Sequence, residues 1–291
     1  MKRLVALARR REAVAAVSSA ALFAVAFPPF PFLFPAFICL VPFGLAVTRC
    51  ADGGGSLRTA AWTGFGFGFI GYAFNLYWIA IALSIYTKLA ILGYIASLFV
   101  VAPVVALAAA ALFAVRRRTR LPLAILLPLV WVASEVLFNY MFDLAFPWLP
   151  LGLATVPQPA LAQMADLSGV RGLSFWIALT NGLIADAILL RADRRAVILR
   201  GLGVAAAAIA VASYGAWRLR TTVLRSVAPI AIVQPNVPQE ERWQEENRDR
   251  IIGMLSALTR NLIAKGGAAL IVWPEAALPG YMANNPSWGD T

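Results

Sequence analysis

The sequence predicts a polytopic α-helical membrane protein with about seven transmembrane helices, followed by the start of an α/β domain. Three observations carry this reading. Of the 291 residues, 61% are hydrophobic and only 13% are charged, well outside the soluble range. The basic excess sits in short breaks between apolar runs: residues 1–228 hold 20 Lys/Arg against 7 Asp/Glu, and the remainder holds 5 against 7. Beyond residue 228 the long apolar runs give way to short ones punctuated by proline, asparagine and glycine. The boundary therefore falls near 225, with a transmembrane part over 1–225 and an α/β part over 226–291.

The same composition closes off other classes. A net charge of +11 invites nucleic acid as a partner, but the charges are spread over short loops, with no Arg-rich helix and no aromatic-basic interleaving. The partner they indicate is a membrane, not nucleic acid. Two cysteines, Cys39 and Cys50, and no histidine exclude a disulfide framework, a Cys/His zinc site and a His-based triad within this chain. Nothing in the sequence indicates a metal or another cofactor.

The first apolar run, 13–27, follows a basic tail (Lys2, Arg3, Arg9, Arg10, Arg11) and reads as an uncleaved first helix, because further apolar segments follow at once. Pro28, Pro29, Pro31 and Pro35 break it, since proline removes a donor and clashes with the preceding turn. A second helix covers about 36–47. The third, 60–83, carries Gly64, Gly66, Gly68 and Gly71 among phenylalanines, the small-residue pattern of a packed interior helix. The fourth covers about 89–115 and stops at Arg116–Arg120; the fifth covers 121–138 and includes Glu135. A link over 139–170 holds Phe146-Pro-Trp-Leu-Pro150, which reads as an interfacial re-entrant or surface segment. The sixth and seventh helices cover about 172–190 and 202–217.

Charge counting sets the orientation. A cytoplasmic N-terminus puts 15 Lys/Arg in the tail and the even-numbered breaks, against 5 on the opposite side. Seven crossings then deliver the residues after about 218 outside, which is the periplasm of a bacterium with two membranes.

There, Pro229-Ile-Ala-Ile-Val-Gln-Pro235 reads as a strand, ended by the turn residues Pro235, Asn236 and Pro238. Residues 240–265 place Ile251, Ile252, Leu255, Leu258, Leu262 and Ile263 at helical spacing, with Glu240, Glu241, Glu245 and Glu246 toward the positive end of the helix dipole. Gly266-Gly267 ends that helix, and 268–273 form a second strand that Pro274 terminates. The unit is β-α-β, normally a parallel pair. Glu275 then stands at the mouth of the strand, where α/β folds place their chemistry; the competing reading is a solvated loop acid.

Glu135 and Asp186 interrupt apolar runs and are functional suspects by position. Their structural readings are an outer helix end for Glu135 and a pairing with Arg191 or Arg194 for Asp186. Trp62, Trp78, Trp131, Trp148 and Trp217 read mostly as interface anchors, with Trp148, between two prolines, the candidate to line a lipid entrance.

Three stretches, taken in order, carry a family resemblance. They are the Gly/Phe-rich helix ending near Tyr77-Trp-Ile79; Phe146-Pro-Trp-Leu-Pro-Leu-Gly152 with Gly169-Val-Arg-Gly-Leu-Ser-Phe175; and Ile232-Val-Gln-Pro-Asn-Val-Pro-Gln239 with Trp243, followed by Trp273-Pro-Glu-Ala-Ala-Leu-Pro279. The chain resembles the apolipoprotein N-acyltransferases, the membrane-bound branch of the nitrilase (carbon–nitrogen hydrolase) superfamily. The resemblance implies that 226–291 open a periplasmic nitrilase-like domain and that the protein sits in the bacterial inner membrane. It implies a phospholipid acyl donor, a thioester intermediate on a cysteine, and the α-amine of a diacylglyceryl-modified apolipoprotein as acceptor. A Glu-Lys-Cys triad is implied, with Glu275 as general base by its Trp-Pro-Glu context and Trp243 linked to substrate binding.

The match also has a gap. The family's lysine and cysteine lie well downstream of this glutamate, Lys265 precedes the strand, and Cys39 and Cys50 read as inert helix residues. The tail 282–291 is polar, and the family's eighth helix is missing. The chain therefore reads as C-terminally truncated relative to the family and inactive alone. The rival readings are a non-catalytic membrane remnant or scaffold, and a transporter with a small outer cap, which calls for paired repeats and midplane charges that are not evident.

Overall fold

Helices in the first 222 residues start and stop where proline, glycine and small polar residues stand. The structure, a computed structural model, describes residues 2–280 other than 31, 142, 144, 146 and 279, with side chains from residue 10 onward. Pro31 of the proline run, Phe146 of the Phe-Pro-Trp motif, Pro279 and the polar tail 282–291 lie outside the described residues.

The helices are α1 (Lys2–Val25), α2 (Val41–Asp52), α3 (Leu57–Ser84), α4 (Ala90–Thr119), α5 (Leu123–Leu137), the short α6 (Pro159–Ala162), α7 (Ala165–Leu189) and α8 (Arg194–Thr221). Ser56 caps α3 by accepting from the Thr59 N–H at 3.1 Å, and Asp193 caps α8 by accepting from the Ala196 N–H at 3.1 Å. Gly169, at φ 65°, bends the start of α7, so its regular part begins close to the expected residue 172. Among the described residues six segments are long and apolar enough to cross a membrane: Phe34–Asp52, Leu57–Ser84, Ala90–Thr119, Leu123–Tyr140, Ala165–Leu189 and Arg194–Thr221. The chain is thus a polytopic helical membrane protein. A seventh crossing would have to be α1, whose first half carries the basic tail.

The second span differs from the continuous helix expected. A 3-10 turn, Phe34–Phe37, precedes α2, and the break between them frees backbone groups inside the bundle. Lipid offers those groups no partner, so the protein must. Fully buried Asn181 of α7 accepts from the Leu40 N–H at 2.8 Å and donates to the Ala36 carbonyl at 2.9 Å. Ser19 of α1 accepts from the Phe43 N–H at 2.9 Å.

Helices α3 and α4 make the most extensive contact, and the glycine pattern explains why. A Cβ at Gly64 would come within 2.6 Å of the Ala109 Cβ, and one at Gly68 within 2.9 Å of the Val105 Cβ. Only glycine allows that approach. Helix α3 is nevertheless interior on one face alone; Trp62, Phe74, Trp78 and Ile81 are exposed on it. Phe23, Phe43, Phe67 and Trp131 fill the centre, with Phe67 stacked on Trp131 at 5.7 Å between ring centroids. Trp131 is therefore a core residue, not an interface anchor, because its helix buries the face that carries it. Trp62, Trp78 and Trp217 are exposed on their helices.

The chain divides into two units between Thr222 and Val223. The second contains β1 (Ile230–Ile232), α9 (Gln239–Arg242), α10 (Arg248–Lys265) and β2 (Leu270–Val272). The strands pair in parallel with Ile230 opposite Leu270 and Ile232 opposite Val272, as a β-α-β unit requires. Ile251 and Leu255 of α10 pack with Val233 in a small core that Ile271 and Trp273 flank. The single helix expected over 240–265 is interrupted: α9 ends at Arg242, a 3-10 turn covers Glu245–Asn247, and α10 begins at Arg248. Asn247 bridges the break, donating to the Glu241 carbonyl and to Gln244, while Arg250 pairs with Glu241.

Candidate functional site

The second unit places its candidate acid by strand termination. The Val233 N–H donates to the Val272 carbonyl at 2.9 Å, the last ladder bond before Trp273. The Trp273 indole N–H donates to the Thr259 hydroxyl at 3.0 Å and pins the strand end to α10. Pro274 offers no N–H, the ladder stops, and Glu275 opens a turn whose next residue, Ala276, stands at φ 52°. Asn236, in the exit from β1, stands at φ 54°. Parallel pairing sends both exits off the same edge of the sheet, the carboxyl edge, and both carry a non-glycine residue in the left-handed region. Such residues cluster at functional positions.

Glu275 is exposed and, among the described residues, has no ion-pair partner. Trp243 closes α9 and is half exposed; among the described residues no hydrogen bond joins it to Glu275. Lys265 ends α10, before β2 begins, and so belongs to the opposite, amino edge of the pair.

Trp148 lies in the first unit, in a loop that three helices hold from three directions. Glu135 of α5, buried, accepts from the Trp131 indole N–H at 2.9 Å and from the Leu151 backbone N–H at 2.8 Å. Ser174 of α7 accepts from the Gly152 N–H at 2.8 Å, and the Tyr72 hydroxyl of α3 donates to the Trp148 carbonyl at 3.4 Å. Leu149 takes a left-handed φ of 45°, and Leu151 is fully buried. The loop therefore dips into the bundle core, and Trp148 packs half-buried at its border. Glu135 belongs to the last turn of α5 and acts on this loop through a backbone amide.

Asp186 does not pair with Arg191 or Arg194. It accepts from the backbone N–H groups of Leu123 at 2.9 Å and Ala124 at 3.0 Å. The physical reason is local: Pro122 precedes α5 and has no side chain to cap it, so a carboxylate from α7 supplies the cap. A cap and an anion at the positive helix end are both satisfied by one group. Sequence reading missed Asn181 and Ser174 altogether. The one signal available was their polarity inside an otherwise apolar run. Cys39 lies in the turn that precedes α2, not within a helix as expected, and Cys50 lies in the last turn of α2; both are buried and donate to the carbonyls of Ala36 and Ser56.

The chain is similar to known proteins along most of its length. Residues 19–183 match the family model described as the apolipoprotein N-acyltransferase N-terminal domain. A protein of Geobacter metallireducens named apolipoprotein N-acyltransferase is 31% identical over 290 residues, covering 96% of this chain and 54% of that protein. Relatives of the same name from Brucella suis (31% identical, 98% of this chain, 55% of the relative) and Vibrio vulnificus (27% identical, 96% and 53%) align in the same way. The chain spans about half the length of the curated relatives it matches.

Proposed function

The chain belongs to the apolipoprotein N-acyltransferase family, and from that premise we propose that it carries the membrane platform and the general base of a phospholipid-dependent N-acyltransferase. The observation that carries this reading is Glu275, an exposed carboxylate at the carboxyl edge of a parallel strand pair that follows directly on the membrane helices. In the reaction, Glu275 takes the proton of a cysteine thiol, and the thiolate attacks the ester carbonyl of a phospholipid. A nearby lysine steadies the oxyanion, and the lysophospholipid alkoxide leaves with the proton that Glu275 took from the thiol. The α-amine of a diacylglyceryl-modified cysteine then attacks the thioester and gives a proton to Glu275; the C–S bond breaks, the acyl chain stays on the amine as an amide, and the departing thiolate takes that proton back from Glu275. Trp243 takes part in substrate binding, and Trp148 lines the lipid entrance.

On this reading the protein crosses the bacterial inner membrane seven times, with its N-terminus cytoplasmic and residues 226–291 opening a periplasmic nitrilase-like domain. No lysine or cysteine follows Glu275 within these 291 residues, so the chain by itself is expected to transfer nothing. The test joins the chain to the remaining part of the Geobacter relative and follows the mass gain of one acyl group on a diacylated lipopeptide. The chimera is expected to transfer, and Glu275→Gln to lower its rate by about 10²–10⁴-fold. Equal rates for the two would remove Glu275 from the chemistry. Acylated product from the 291-residue chain alone would overturn its inactivity.

A further inference from the structure

A second feature of the membrane unit is independent of the transferase reading. A groove of about 430 Å³ opens between α7 and α8, near the turn that joins them. Its walls are apolar, from Leu183 and Ala187 on one helix and Val197 and Val204 on the other, and its polar residues are Arg191 and Arg200. No acid lines it; Asp193 in the adjoining turn is engaged as the cap of α8. Among the described residues neither guanidinium has an ion-pair partner.

Helix α8 is apolar over its crossing length, yet only 6% of that window is buried inside the protein. The medium along its groove is therefore acyl chain, which an apolar wall accepts without cost. The two arginines differ from these walls: Arg191 just beyond α7 and Arg200 in the second turn of α8 carry uncompensated positive charge into the groove, and arginine forks match phosphate oxygens bidentately. A zwitterionic headgroup would leave that charge unbalanced, whereas a headgroup of net negative charge balances it. Basic pockets between membrane helices select anionic lipids on this ground. We propose that the α7–α8 groove is a binding site for one anionic phospholipid of the bilayer, with its phosphate on Arg191 and Arg200 and an acyl chain along Leu183, Ala187 and Val204.

The test uses the full 291-residue chain, delipidated in a mild nonionic detergent and titrated under native mass spectrometry with dioleoyl-phosphatidylglycerol or dioleoyl-phosphatidylcholine. One phosphatidylglycerol is expected to bind at a concentration about tenfold below that for phosphatidylcholine. The double variant R191Q/R200Q should lose about 25-fold in affinity for phosphatidylglycerol, roughly fivefold per arginine, and with it the preference. R194Q/R195Q removes the same charge outside the groove and should keep the preference within about twofold of the unaltered chain.

Gly201 also lines the groove, and a Cβ there meets nothing within 4 Å. Gly201→Leu should therefore fill the space without disturbing the helices and weaken both lipids while both arginines remain. Circular dichroism on each variant checks that it folds, and Gly201→Leu decides the matter if R191Q/R200Q does not. Equal binding of the two lipids, equal losses in the two double variants, or a chain dimer in place of the lipid adduct would overturn the proposal. Glycerol phosphate competing as well as the lipid would also overturn it, because the acyl chain would then contribute nothing.

Discussion

The two units bury themselves in different ways. In the membrane unit, polar groups released by broken helices are answered by side chains distant in sequence: Asn181 serves Leu40 and Ala36, Asp186 serves Leu123 and Ala124, and Glu135 serves Leu151. In the second unit, α10 covers one face of a two-stranded sheet, while Ile230, Ile232, Leu270 and Val272 on the other face are exposed. The difference follows from the surroundings. Hydrocarbon supplies no hydrogen bonds, so the first unit must satisfy its backbone internally, whereas an exposed isoleucine in the second costs only hydrophobic free energy.

That comparison can be broken or sharpened by substitution. The largest effect is expected at Asn181→Leu, which orphans the Leu40 N–H in the core, leaves the Ala36 carbonyl only the weak Cys39 thiol donor, and should cost about 2–3 kcal/mol. Denaturant titration in detergent micelles measures the loss, and hydrogen exchange at Leu40 localises it. Slow exchange at Leu40 in that variant would mean that another group had been holding the break.

Leu255→Ala comes next, at about 2–3 kcal/mol against the second unit, because the side chain is fully buried beside Val233 and Ile251. Proteolysis within 223–280 reads this unit without reading the bundle. Ala276→Gly should stabilise the Glu275 turn by up to about 1 kcal/mol, since glycine accepts φ 52° without strain. Exchange of the neighbouring amides tests it, and faster exchange would contradict a strained turn. The smallest effect, within about 0.5 kcal/mol, is expected at Ile232→Lys on the open face of the sheet. A loss there as large as that of Leu255→Ala would show that the face is covered, and the contrast between the units would fall.

The legible part of the fold was periodic or compositional. Apolar runs announced the spans, proline and glycine their ends, and the three- and four-residue spacing of Ile251, Leu255, Leu258 and Leu262 the helix between two strands. Glu275 was legible because Pro274 stops a strand wherever it occurs. Trp131 and Asp186 were misread for a common reason: an indole or a carboxylate in an apolar run has the same one-dimensional signature whether it faces a headgroup, an arginine or a neighbouring helix. The interruption at Trp243–Asn247 was missed because residues 239–250 contain no proline or glycine to mark a break and only one apolar residue, Trp243, to set a period.

By itself, then, the sequence determined that long helices precede a parallel β-α-β unit, where most of them begin and end, and which residue stands at the mouth of the second strand. Those properties depend on local sterics and on the transfer of side chains out of water, which act through neighbours in the chain. Tertiary structure alone decided that Asn181 repairs the second span, that Asp186 caps α5, and that Glu135 and Ser174 hold the loop of Trp148. Those pairings join groups from about 16 to 145 residues apart, because a buried amide must be met by whichever side chain the packing brings within reach.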